Sequence, residues 1–252
     1  MILLTNGDSW TQGDYPAQEY NWEAEKTLDW YDIVPHFGDD LNPQSQRILY
    51  KFYDSDVWPK VLGRKLGWET WNCGRLGASN DRIVRSTINS VEYLESLGKK
   101  DLFVVVGLTS AFRYESWNHF KEDKQPGIYQ NKRVSPEEWI KFGEKSLMLR
   151  LCMNIINLQN FLKTKNIPYL IFNAFDDYHS DIKDIKLYKY IDLENIYNKN
   201  LNAHFFDYIK EKFNCGDWHG EPYFKTMHPT ELSHIAWGEH LYKYIRSNYE
   251  VF

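Results

Sequence analysis

The chain has 252 residues, of which 42 % are hydrophobic and 26 % charged, the balance of an ordinary water-soluble globular protein with room for one large domain. A formal net charge of -5 supplies no basic surface and so removes the electrostatic reason to expect nucleic acid as a partner. No apolar run approaches the roughly 18 residues needed to cross a bilayer, which argues against a membrane partner.

Three cysteines, Cys73, Cys152 and Cys215, are too few and too widely spaced for a disulfide framework or a zinc site, and they fit a reducing compartment. The apolar opening Ile2-Leu3-Leu4 is too short for a signal peptide and has no basic residue before it, so a cytoplasmic location is expected. Aromatic residues are abundant, with 10 Trp, 18 Tyr and 14 Phe, and are read chiefly as core.

In chain order, residues 2–5 form a strand that stops at Asn6-Gly7-Asp8. Residues 14–55 are polar, aromatic and irregular. Residues 57–66 repeat Val57, Val61, Leu62 and Leu66 at helical spacing and stop at Gly67. Residues 68–73 are rich in strand formers, and 81–97 read as an amphipathic helix closed by Gly98. The apolar run 102–106, bounded by Asp101 and Gly107, suits a strand buried on both faces of a parallel sheet. A polar loop at 114–134 leads to Ser135-Pro136-Glu137-Glu138, a strong helix start, and that helix reaches about residue 165. Residues 167–174 are the fourth strand, a fifth falls at 190–193 or 203–206, and 232–247 close the chain as a helix. Alternating strands and helices predict an α/β protein, with no repeat or linker to divide residues 1–252 into more than a single domain.

Ligands of such sheets bind beyond the carboxyl ends of the strands. There the sequence places Asn6-Gly7-Asp8-Ser9, then Asn72-Cys73-Gly74-Arg75-Leu76-Gly77-Ala78-Ser79-Asn80, then Gly107-Leu108-Thr109-Ser110. His228-Pro229-Thr230 stands just before the last helix. Each block alone is weak. Their order and placement resemble the SGNH (GDSL-type) hydrolase family, over residues 2 to about 243.

The resemblance implies a three-layer α/β/α sandwich of flavodoxin-like kind, with about five mostly parallel strands. It implies Ser9 as nucleophile and His228 as general base. The backbone N–H of Ser9, Gly77 and the side chain of Thr109 fall at the oxyanion-hole positions. Two departures from the family pattern stand out. Thr109 occupies the place of the usual asparagine, and Asn80 or Asn6 are the alternative donors. Lys225 occupies the place of the usual aspartate three residues before the histidine, so a backbone carbonyl, water or a displaced carboxylate, Asp217 first and Glu221 second, is expected to orient the ring.

The chemistry asks for these residue types. A serine hydroxyl is a poor nucleophile until an imidazole takes its proton, and the tetrahedral intermediate needs fixed donors for its negative oxygen. Asp8 fixes the turn at Ser9 and, with Asn80 and Arg113, is a candidate for substrate contact. Arg113-Tyr114-Glu115 reads equally as a cleft wall or a surface ion pair. Four histidines, His219, His228, His234 and His240, lack the spacing of a zinc site, so neither a metal nor another cofactor is expected.

The expected reaction is hydrolysis of a carboxylic ester with a short acyl chain, such as an O-acetyl group on carbohydrate, in a small-molecule or glycan substrate. The loops 14–55 and 114–134, with Trp22, Trp30, Tyr31, Trp117 and Tyr129, are expected near the active face, where aromatic rings stack on sugars. Two alternatives are an acyltransferase using the same serine and histidine, and a non-catalytic glycan-binding protein that retains the fold. Oligomeric state is not legible.

Overall fold

The computed structural model describes residues 1–13, 56–75, 77–118, 128–133, 136–178, 182–215, 222–225 and 227–250. In chain order the described elements are β1 (Ile2–Asn6), α1 (Ser9–Gln12), α2 (Trp58–Leu66), β2 (Glu69–Asn72), α3 (Asn80–Ser96), β3 (Leu102–Leu108), β4 (Arg113–Asn118) and β5 (Ile128–Arg133). They continue with α4 (Pro136–Thr164), β6 (Tyr169–Asn173), three short 3-10 turns, α5 (His204–Phe213), β7 (Phe224–Lys225), β8 (His228–Pro229) and α6 (Glu231–Asn248).

The main sheet is parallel, in the order β2-β1-β3-β6. Its strands alternate between two cores, as the pleat requires. Leu3, Phe103, Val105, Leu170 and Phe172 pack with Trp58, Phe205 and Trp237 of α2, α5 and α6. Leu4, Val104, Val106 and Ile171 pack with Ile83, Leu94, Leu151 and Ile155 of α3 and α4. Helices cover both faces, which is why the strands read as continuous apolar runs. Each such side chain, fully buried, contributes roughly 1.5–3 kcal/mol. The result is a mixed α/β protein in three layers, a four-stranded parallel sheet covered by helices on both faces.

Three expectations change. The described sheet has four strands where five were expected. Of the candidates for the fifth, 190–193 falls in 3-10 turns and 203–206 runs into α5. Among the described residues, Ile196 pairs with the sheet edge through an isolated parallel bridge to Ile171. The expected loop 114–134 contains the β4–β5 hairpin, in which Trp117 pairs with Tyr129. The long helix is interrupted at Gly143 (φ 67°, ψ 156°). Residues 14–55, with Trp22, Trp30 and Tyr31, lie outside the described residues.

Candidate active site

β1 delivers the chain to a tight turn. Asp8 caps the four-residue α1, accepting the Trp10 N–H at 3.0 Å, and Ser9 is the first helical residue. The turn fits because glycines stand around Thr11: a Cβ on Gly7 would fall 2.1 Å from Thr11 Oγ1, and one on Gly74 2.6 Å from Gln12 N. Asn72 ties the next strand end to the same helix, donating to Thr11 O at 2.8 Å. Asn6 turns the other way, its amide donating to Ser86 Oγ and Thr87 Oγ1 of α3 at 2.8 and 2.9 Å. Asn6 is therefore occupied below the turn, away from any role as oxyanion donor.

Ser9 is 3 % exposed, and its Oγ lies 3.1 Å from His228 Nε2, although 219 residues separate them in sequence. The half-buried His228 stands on β8, opposite Lys225 in the two-residue ladder. Thr230 and Ser233 fasten this hairpin to the start of α6 by donating to Tyr223 O, at 2.9 and 2.6 Å. Trp10 joins the two halves, its ring 5.7 Å from Phe224 of β7 and 5.3 Å from Phe205. Sequence reading missed Trp10 and Phe224 as site supports, since among 42 aromatic residues nothing local marks them.

The donors for a developing oxyanion can be followed one by one. In α1, Thr11 and Gln12 N–H donate to Asp8 O and Gly13 N–H to Ser9 O, while the Ser9 N–H has no acceptor among the described residues. The Gly77 N–H likewise has none among them. Gly77 holds φ +70°, a left-handed turn that glycine adopts without strain. Thr109 departs from expectation. A hydroxyl carries one hydrogen, and that of Thr109 goes to Asp8 Oδ2 at 2.8 Å. Asn80 is also committed, pairing by its side chain with Thr109 N–H and C=O, both at 2.9 Å.

Asp8 is 1 % exposed and does not offer itself to substrate. Its Oδ2 also accepts Arg113 Nη1 at 2.8 Å. Burial pushes the Asp8 carboxyl above its ordinary range, against the pull of the Arg113 charge and the hydrogen bonds from Thr109 and Trp10. Glu115, by contrast, faces α3, where Arg85 holds it through two hydrogen bonds of 2.9 and 2.6 Å. Neither pair is a surface one, since the Glu115 and Arg113 side chains are 6 % and 13 % exposed.

Among the described residues, His204, His234 and His240 are not gathered with His228 into a ligand set. His240 bonds Tyr197 at 2.6 Å. His234 is buried, accepts the Trp58 N–H at 3.3 Å and is pushed down to about 3 by burial and by nearby His228. Among the described residues no group of three or more His, Cys, Asp or Glu is placed to hold a metal ion. No helix among them is long and apolar enough to cross a membrane. His219, Asp217 and Glu221 lie outside the described residues.

The chain thus carries Ser9, Gly77 and His228 beyond the strand ends and before the last helix of a parallel α/β fold. The chain belongs to the family of unknown function DUF6071, whose model matches residues 39–250. Among solved structures, it is similar to a protein assigned to the lipolytic G-D-S-L family from Desulfitobacterium hafniense DCB-2 (13 % identity, 96 % of this chain and 98 % of that one, TM-score 0.43). It is also similar to a carbohydrate esterase described as having divergent catalytic and non-catalytic binding functions (10 % identity, 99 % of this chain and 66 % of that one, TM-score 0.45). A search of curated proteins gives no match.

Proposed function

We propose that this protein is a serine hydrolase of carboxylic esters. The observation that carries the reading is the 3.1 Å contact between Ser9 Oγ and His228 Nε2. Ser9 Oγ attacks the ester carbonyl carbon while its proton passes to His228 Nε2. The carbonyl oxygen becomes negative and meets the Ser9 and Gly77 N–H groups. The C–O bond to the alcohol breaks, His228 returns the proton to that oxygen, and acyl-Ser9 remains. Water, deprotonated by His228, then releases the acid and restores Ser9. Asp217 keeps first place for orienting the His228 ring, with Glu221 second.

The finer substrate is a short acyl group, such as O-acetyl on carbohydrate. The aromatic residues Trp117 and Tyr129 in the segment that follows Thr109 support this reading from the sequence, since aromatic rings stack on sugars. The test is p-nitrophenyl acetate hydrolysis by the wild type and Ser9→Ala, followed by a panel of acetylated sugars. The variant is expected to lose on the order of 10⁴-fold or more in turnover. EDTA should leave the rate unchanged, and a metal-dependent rate would overturn the reading. An added acceptor sugar that captures the acyl group would make the protein an acyltransferase. No ester turnover, with no labelling of Ser9 by an aryl phosphonate, would leave a glycan-binding protein.

A further inference from the structure

Asp8, Ala78 and Thr109 stand on the loops that follow β1, β2 and β3. One nitrogen reaches all three. Arg113 Nη1 lies 2.8 Å from Asp8 Oδ2, 2.9 Å from Thr109 Oγ1 and, at longer range, 3.4 Å from Ala78 O. The same loops carry the Ser9 and Gly77 N–H groups that have no acceptor among the described residues. The Arg113 side chain is only 13 % exposed, and its guanidinium lies 5.6 Å over Phe175, which in turn packs 5.1 Å from Trp10.

Two consequences follow from elementary electrostatics. A buried carboxylate beside Ser9 would oppose the negative charge that grows on the substrate oxygen, and Arg113 cancels it. Thr109, its hydrogen spent on Asp8, accepts from Arg113 and so becomes part of a closed triangle with the other two. Such a triangle fixes loops that are distant in sequence, because a guanidinium is a planar, permanently charged donor.

We propose that Arg113 is a positioning residue for the Ser9 reaction, clamping the three strand-end loops so that their amides converge on the oxyanion and neutralising Asp8 beneath them. The assignment rests on Ser9 being the nucleophile.

The experiment measures labelling of Ser9 by a p-nitrophenyl alkylphosphonate, in the wild type, Arg113→Ala and Arg113→Lys. In that reaction Ser9 Oγ bonds to phosphorus, p-nitrophenolate leaves, and the serine proton goes to His228. The phosphoryl oxygen takes the oxyanion position, so the rate reads the positioned amides directly. Arg113→Ala should label about 100-fold more slowly, the size of effect seen when an oxyanion donor is lost. It should lower kcat for p-nitrophenyl acetate by a similar factor with KM within threefold. Guanidinium ion at millimolar concentration should restore part of the rate by refilling the vacated place. If Arg113→Ala fails to fold, Arg113→Lys takes its place, with at least a tenfold slower rate expected because an ammonium lacks the planar fork.

Labelling of a folded variant within threefold of the wild type would overturn the clamp. So would a loss that appears in KM alone. Failure of the wild type itself to label would instead sink the serine-nucleophile reading, which keeps the two failures apart.

Discussion

The two halves of the site are built differently. On the nucleophile side, Asp8, Asn6 and Asn72 each hold two or more polar partners, and the turn is buried against three strand ends. On the base side, His228 sits on a two-residue ladder between Met227 and Leu232, which are 55 % and 51 % exposed. Among the described residues, the Ser9 turn is therefore held by contacts spread over distant sequence, while His228 stands on a hairpin pinned through Tyr223. A group that touches both halves should matter most to stability.

Trp10 is such a group, and its loss is the largest stability effect expected. It is 2 % exposed and packs on Phe175 and Phe205 as well as on Phe224 of the base hairpin. Trp10→Ala should cost about 3–5 kcal/mol in urea unfolding, the range for truncating a large buried aromatic. It should also lower esterase turnover at temperatures where the variant remains folded. Phe224→Ala, which trims the base side alone, should reduce turnover with a smaller loss of stability. A cost below about 1 kcal/mol for Trp10→Ala would show that the two halves are not joined through this ring.

What the sequence made legible divides along the same line. Gly7-Asp8-Ser9 and the run at 102–106 are local signals, and both landed where expected, as did the helix starts near residues 58, 80 and 136. The Asp8–Thr109–Arg113 triangle joins residues 101 and 105 positions apart, and no periodicity or spacing encodes such a contact. The fifth strand was misread because Ile191, Leu193 and Ile196 are apolar for another reason: they cover the sheet edge from 3-10 turns. Lys225 was recognisable as a departure from the family pattern, and Asp217 and Glu221, the carboxylates expected to compensate, lie outside the described residues.

His234, in the first turn of α6, ties that helix to the start of α2. Helix α2 begins after Val57, whose side chain cannot cap it, and Pro59 has no N–H; His234 accepts the remaining Trp58 N–H. Only a neutral ring can do this. Folded His234 stays neutral down to about 3 whereas the unfolded residue protonates near 6.5, so between these values the unfolded chain binds more protons. Stability present above about pH 6.5 should therefore be lost as pH falls, by about 2 kcal/mol between pH 7.5 and 5. His234→Asn keeps an acceptor but cannot titrate, and its stability should lose that part of the slope. An unchanged slope would mean that other groups set the acid limit.

The smallest expected effect lies at Met227, directly before the base. Its φ of +65° is left-handed, where a side chain costs about 1–2 kcal/mol relative to the ordinary region. Met227→Gly removes that strain but adds freedom to the unfolded chain worth roughly 0.5–1 kcal/mol. The half-exposed side chain gives up little burial, so a net gain of about 0.5 kcal/mol is expected. Met227→Val should move the other way by about 1 kcal/mol or more, because a β-branched residue fits this region worst. The pair of variants, measured by urea unfolding alongside p-nitrophenyl acetate turnover, separates two uses of the strain. If Gly stabilises the fold while turnover drops several-fold, the left-handed bend is holding His228 toward Ser9, as strained residues at reactive sites do. If turnover is unchanged in Met227→Gly, the ladder with Lys225 and the bonds to Tyr223 suffice to place the ring, and the base side is firmer than its exposure suggests.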